Sequence, residues 1–145
     1  MTGERELAPD DTHLAHAAMR ELRPGIASVE EFVTRVNGVQ RNEGYRLVGS
    51  FAAGGGGADA VAVAGFRRLN TLAWGDIVYI DDLVTMEAHR GRGHARRLLD
   101  WILAEARRIG CGAVHLDSAP HRHAAHRLYL GEGYVISSFH FSRDT

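Results

Sequence analysis

Residues 77–109 read IVYIDDLVTMEAHRGRGHARRLLDWILAEARRI, and their hydrophobic period changes partway along. From Ile77 to Val84 the run is apolar except for Asp81 and Asp82, the pattern of a buried strand. A short polar link leads to Arg90-Gly91-Arg92-Gly93-His94-Ala95. Beyond it Ala95, Leu98, Leu99, Ile102, Ala106 and Ile109 recur at helical spacing on one face. The predicted order is therefore strand, glycine-rich turn, helix. The first turn of a helix leaves amide groups without partners, and the helix dipole adds partial positive charge there. Gly91 and Gly93 have no Cβ to hold a ligand off that backbone, and Arg90, Arg92, Arg96 and Arg97 surround it with cations. Such a turn suits a phosphate or pyrophosphate.

Two familiar phosphate loops do not fit. The Walker pattern needs Gly-Lys-Ser/Thr, and the chain has no lysine. The dinucleotide fingerprint needs a third glycine where Arg96 stands. The turn instead resembles the Arg/Gln-x-x-Gly-x-Gly/Ala signature of the GNAT superfamily of N-acetyltransferases, with Arg90, Gly93 and Ala95 at its fixed positions. Asp82-Leu83-Val84-Thr85 before it, and Ala125-His126-Arg127-Leu128-Tyr129 then Gly133-Tyr134 after it, fit the same pattern from about Tyr45 to Phe141. The resemblance implies that residues 90–96 (Arg90, Gly91, Arg92, Gly93, His94, Ala95, Arg96) bind the pyrophosphate of acetyl-CoA as co-substrate. It also implies a mixed, mostly antiparallel sheet that splays open in the middle, flanked by about four helices.

With 145 residues the chain suits one domain, 1–145, with a substantial core. Helices alternating with strands give an α/β or α+β class. A formal net charge of −1 supplies no global field to draw nucleic acid, and no basic aromatic surface is evident, so a nucleic-acid partner is not expected. Cys111 is the single cysteine, which rules out an intrachain disulfide, and its apolar neighbours read as packing. The charged start is unlike a signal peptide, and no apolar run approaches the ~18 residues of a membrane span. A cytoplasmic protein is the expectation.

Upstream, Glu4–Ala8 reads as an edge strand. Asp10-Asp11-Thr12 opens a helix with Leu14, Ala17, Ala18 and Leu22 on its face, ended by Pro24-Gly25. Ser28-Val29-Glu30-Glu31 resembles a capping box for a second helix whose face is Phe32, Val33, Val36 and Val39. In the resembled family the link between these helices, here Arg23–Ala27, helps form the acceptor pocket. Tyr45–Ala53 and Ala60–Leu69 read as strands, with Gly54–Gly57 as a flexible hairpin connection and Asn70–Gly75 as the next turn. Downstream come a short strand at Ala113–Asp117, a helix with Pro120 in its first turn that ends at Gly131 and Gly133, and a last strand over Tyr134–Phe141.

Acetyl transfer to an amine needs a polarised carbonyl, a deprotonated amine and a proton for the departing thiolate. The resemblance assigns the carbonyl and the pantetheine arm to backbone freed by a bulge near Leu83, Val84 and Thr85. It assigns the thiolate's proton to Tyr129. Asp81 and Asp82 are the candidate base, or the anchor of a cationic amine; strand alternation sends one towards a cleft and the other away. Arg122 stands where the family often places an asparagine against the pantetheine, and Asp117 and Ser118 are placed to position it. The histidines at 121, 123 and 126 lack the spacing of a metal site, so no metal is expected. The reading is direct transfer to a primary amine of a small molecule or peptide. The alternative is a non-catalytic acyl-CoA sensor or interaction module. A homodimer is open, and no membrane partner is expected.

Overall fold

The architecture is that of a computed structural model, which describes residues 3–53 and 58–145. The glycine run Gly54–Gly57 lies outside the described residues. Five strands form one sheet in sequence order: β1 (Gly3–Leu7), β2 (Arg46–Phe51), β3 (Ala62–Thr71), β4 (Gly75–Thr85) and β5 (Ala113–Leu116). The pairings β1–β2, β2–β3 and β3–β4 are all antiparallel. The four α-helices are α1 (His16–Leu22), α2 (Val29–Arg35), α3 (His94–Arg108) and α4 (His123–Gly131).

The apolar runs of β2 and β3 follow from cover on both faces. Leu47 and Val63 join Ala15, Ala18, Met19 and Phe32 in one buried cluster beneath α1 and α2. Their neighbours Val48, Ala62 and Ala64 point the other way, yet are also fully buried. Helix α3 packs on β2, β3 and β4, burying Leu98, Leu99, Ile102 and Ala106, the face its spacing marks out. A strand buried on both faces has no reason to alternate. Cys111 is a buried free thiol. Among the described residues no helix is long and apolar enough to cross a membrane.

The capping signal at Ser28 holds: its hydroxyl accepts from the Glu31 amide at 3.1 Å. The chain before α1 is a 3₁₀ helix, Pro9–Ala15, rather than the start of an α-helix. The face expected of the second helix is broken at Val39, which is 52% exposed while Val36 is 5%. The cause is a π-helical turn, Val36–Gln40, whose wider winding carries Val39 off the stripe.

Contacts divide the chain into two units, Met1–His115 and Leu116–Thr145. In the second unit Pro120 lies in a turn and α4 begins at His123, so the proline is not in the helix's first turn. The segment from Tyr134 onward is not a strand. Its amide at Tyr134 bonds back to the Tyr129 carbonyl at 3.0 Å, and Val135, Ile136, Phe139 and Phe141 are exposed. An extended segment becomes a strand only through a partner strand, and among the described residues no strand pairs with this one.

Candidate functional site

The glycine-rich turn has the geometry its sequence suggests. A 3₁₀ turn, Glu87–His89, ends β4's exit, and Gly91 and Gly93 follow with φ of 76° and 81°, left-handed values that glycine adopts without strain. The first bond of α3 runs from the Arg97 amide to the Gly93 carbonyl at 3.1 Å. Hence the amides of His94, Ala95 and Arg96 precede the helical ladder. Gly93 supplies no capping side chain, and the first turn of α3 carries no acid to compete for them. Arg90, Arg92 and Arg96 are exposed around this end.

Arg97 is not part of that exposed set. Its guanidinium binds Glu4 at 3.0 Å, the Arg92 carbonyl at 3.0 Å and the His94 ring at 3.0 Å. His94 contributes its backbone to the turn while its side chain is buried, 2.8 Å from the Ser50 hydroxyl. Arg97 can only donate, so His94 Nδ1 is an acceptor and the ring proton sits on Nε2. Burial, then the charge of Arg97, lowers the His94 pKa. The turn is thus stapled from beneath to β1 and β2 by Glu4, Ser50, His94 and Arg97.

The second feature lies on β4. Between Gly65 and Phe66 the β3–β4 register shifts, so Gly65 pairs with Asp82, Phe66 pairs with Ile80, and Asp81 is the extra residue. This is a β-bulge, and it lies two residues before Leu83. It overturns the expectation that Asp81 and Asp82 face opposite ways. An extra residue cancels the alternation, and both carboxylates line one cavity of about 580 Å³.

Every oxygen of the two carboxylates has a donor. Arg67 Nε reaches Asp81 Oδ1 at 3.2 Å and Oδ2 at 3.0 Å. Arg23 Nε donates to Asp82 Oδ1 at 2.9 Å, and the Tyr45 hydroxyl to Asp82 Oδ2 at 2.7 Å. Burial first, then the Asp82 charge, pushes the Tyr45 pKa well up, so its proton stays on the phenol and points at Asp82. A second Arg67 nitrogen also reaches Asp81 Oδ2 and a second Arg23 nitrogen Asp82 Oδ1, so the spare lone pairs lie on Asp81 Oδ1 and Asp82 Oδ2. An ammonium can therefore add to this pair of acids as a further donor. Arg23 and Ile26, from the link between α1 and α2, line the same cavity.

Sequence reasoning did not single out Tyr45, Arg35 or Arg67. One signal was available: Gly65 interrupts an apolar strand, and such a glycine marks close approach of another group. Here the group is Tyr45, whose hydroxyl and ring occupy the space a Cβ would need.

The remaining candidates belong to the second unit. Tyr129 is buried, and burial raises its pKa against the opposing charge of Arg122. Its ring lies 6.1 Å from that of Tyr134. Arg122 is half-buried at the N-cap of α4. Asp117 pairs with His140 at 2.9 Å, and His126 Nε2 donates to the Ala119 carbonyl at 2.9 Å, closing the turn before α4.

Comparison with known proteins bears on this arrangement. Residues 14–134 match the family model described as the acetyltransferase (GNAT) family. An uncharacterized N-acetyltransferase of Bacillus subtilis (strain 168) is 31% identical over 130 residues, covering 89% of this chain and 88% of that protein. An aminoalkylphosphonate N-acetyltransferase of Salmonella typhimurium is 39% identical over 64 residues, 44% of this chain and 42% of that one. Among solved structures, an aminoglycoside N-acetyltransferase in complex with CoA superposes with a TM-score of 0.82 at 15% identity, over 99% of this chain and 95% of that one.

Proposed function

Because the chain belongs to the acetyltransferase (GNAT) family, we propose that it transfers the acetyl group of acetyl-CoA directly to a primary amine of a small molecule or peptide. The observation that carries this reading is the start of α3. Three amides precede the helical ladder behind two left-handed glycines, with no acid in the first turn. A pyrophosphate meets there both the amide donors and the positive end of the dipole, so the residues present fit the co-substrate. The family match runs across both compact units, which supports reading 1–145 as one acetyltransferase domain.

The amine enters the cavity beside the β4 bulge as an ammonium and is held by Asp81 and Asp82. It loses its proton to one of them or to water between them and then attacks the thioester carbonyl. The new N–C bond forms as the C–S bond breaks. Backbone at Leu83 to Thr85 polarises the carbonyl, and Tyr129, protonated at neutral pH, gives its proton to the thiolate. Arg122 is assigned to the pantetheine arm. The two acceptors named by relatives, an aminoalkylphosphonate and an aminoglycoside, share an amine and little else.

Thermal shift with acetyl-CoA, CoA and AMP, run beside thiol release on an amine panel, tests this. Stabilisation by both CoA forms and thiol release with an amine are the expected results, since a ligand that binds the native state stabilises it. Stabilisation without release on any amine would make the chain an acyl-CoA sensor, and no stabilisation would remove the assignment.

A further inference from the structure

We infer that the acceptor is an amine that also carries an acid group, a carboxylate or a phosphonate, and that Arg35 receives this group. The inference rests on the acetyl-transfer reading and narrows its acceptor class. The charged side chains lining the cavity are Arg23, Arg35, Arg67, Asp81 and Asp82, three cations against two anions. Two of the arginines are already committed. Arg67 clasps Asp81 and also binds Gln40 at 3.1 Å. Arg23 is held on Asp82. Arg35 forms no hydrogen bond or ion pair with any described residue. Glu43 stands outside the lining, with its carboxylate 4.0 Å from Arg67.

This charge pattern selects among amines. A polycation would bring several charges into a cavity with an excess cation and no carboxylate free of a donor. A simple amine would leave that excess in place. An amine bearing one acid group satisfies both sides: its ammonium adds to the spare lone pairs of Asp81 and Asp82 on β4, and its acid meets Arg35 at the end of α2. Met19, Ile26, Phe32 and Val36 line the same cavity and suit an apolar linker. Guanidinium binds carboxylate and phosphonate alike through paired N–H donors, so the two acid types share one recognition chemistry.

The test uses the full chain with acetyl-CoA and matched acceptors: phenylalanine against phenylalaninamide, β-alanine against β-alaninamide, 2-aminoethylphosphonate against ethanolamine, and spermidine as polycation. One charge-assisted contact predicts that kcat/KM for an acid-bearing amine exceeds its neutral partner by about 10- to 100-fold. The carboxylate and phosphonate pairs show which acid is preferred. Arg35→Gln should bring that ratio close to one through KM, Arg35→Lys should keep part of it, and the KM for acetyl-CoA should not move. Equal or better turnover of the neutral amines or spermidine overturns the inference, as does a preference that survives Arg35→Gln. If no amine releases thiol, the transfer reading fails separately, and calorimetry of the CoA-loaded protein with the same pairs decides. Acid-dependent binding lost in Arg35→Gln upholds the site, and its absence overturns it.

Discussion

Tyr45 crosses β3 over Gly65: a Cβ at that glycine would overlap the Tyr45 hydroxyl and come within 2.6 Å of ring carbon Cε1. The crossing lets the hydroxyl reach Asp82, the partner of Gly65 in the β3–β4 register. Gly65→Ala must therefore push Tyr45 away and strip Asp82 of one donor. The overlap is with a side chain wedged in the core, so a cost of about 1–3 kcal/mol is expected in urea denaturation. In the folded variant the KM for the amine should rise while CoA affinity stays the same, because the turn proposed to bind the pyrophosphate lies elsewhere. A variant as stable as the parent with an unchanged amine KM would show that Tyr45 does not hold Asp82 for function.

The two arginines that hold the acids should differ in their contribution to stability. Arg67 is 15% exposed and binds Asp81 through two nitrogens, whereas Arg23 is 48% exposed. Removing Arg67 leaves a largely enclosed carboxylate short of donors, so Arg67→Gln should cost about 1–3 kcal/mol. Solvent screens the Arg23 pair, and Arg23→Gln should cost less than about 1 kcal/mol. Equal losses in chemical denaturation would contradict this ranking.

What the sequence revealed depended on how local the cause was. The turn from Arg90 to Ala95, the cap at Ser28 and the buried face of α3 were legible because each is written in consecutive residues or a fixed period. The joint orientation of Asp81 and Asp82 was not legible, since a bulge is set by the register with β3 and strand alternation alone gives the opposite answer. Arg67 and Tyr45 come to the acids, and Arg35 to the same cavity, from other parts of the chain, and only Gly65 hinted at the approach of Tyr45. Val39 was misplaced because the π-turn that displaces it leaves no period of its own in so short a segment.

At the turn itself, Gly93→Glu combines three faults. The position has φ of 81°, a built Cβ lies 3.0 Å from the Arg97 guanidinium, and the new carboxylate would stand where a pyrophosphate is expected. Left-handed strain alone costs about 1–2 kcal/mol. The expected outcome is a folded protein by circular dichroism that shows no thermal shift with CoA or acetyl-CoA. Retained CoA affinity in that folded variant would count against the turn as the phosphate site.

Tyr129→Phe tests the proton donor without disturbing much packing, because the ring remains. If the hydroxyl serves the departing thiolate, kcat should fall by about 10²- to 10⁴-fold with the KM for acetyl-CoA nearly constant. The deficit should shrink with an acyl donor whose leaving thiol has a lower pKa, since such a thiolate needs less protonation. An unchanged kcat would return Tyr129 to a packing role.

The staple under the turn makes stability depend on pH with a definite sign. His94 is held neutral by burial and by Arg97, so its folded pKa lies below the unfolded value of about 6.5. Between those two values the unfolded chain binds a proton that the native chain does not, and stability falls as pH drops. The contribution is complete above about pH 6.5, is lost as the pH falls towards the folded pKa, and levels off below it. Charging the ring also turns Nδ1 into a donor facing the Arg97 donor, 3.0 Å away, which loosens the turn. The midpoint temperature should therefore decline from pH 7.5 to pH 5.5, with CoA affinity weakening in parallel. His94→Asn, which cannot charge, should flatten both slopes. A variant that keeps the full pH dependence would place its source in another group.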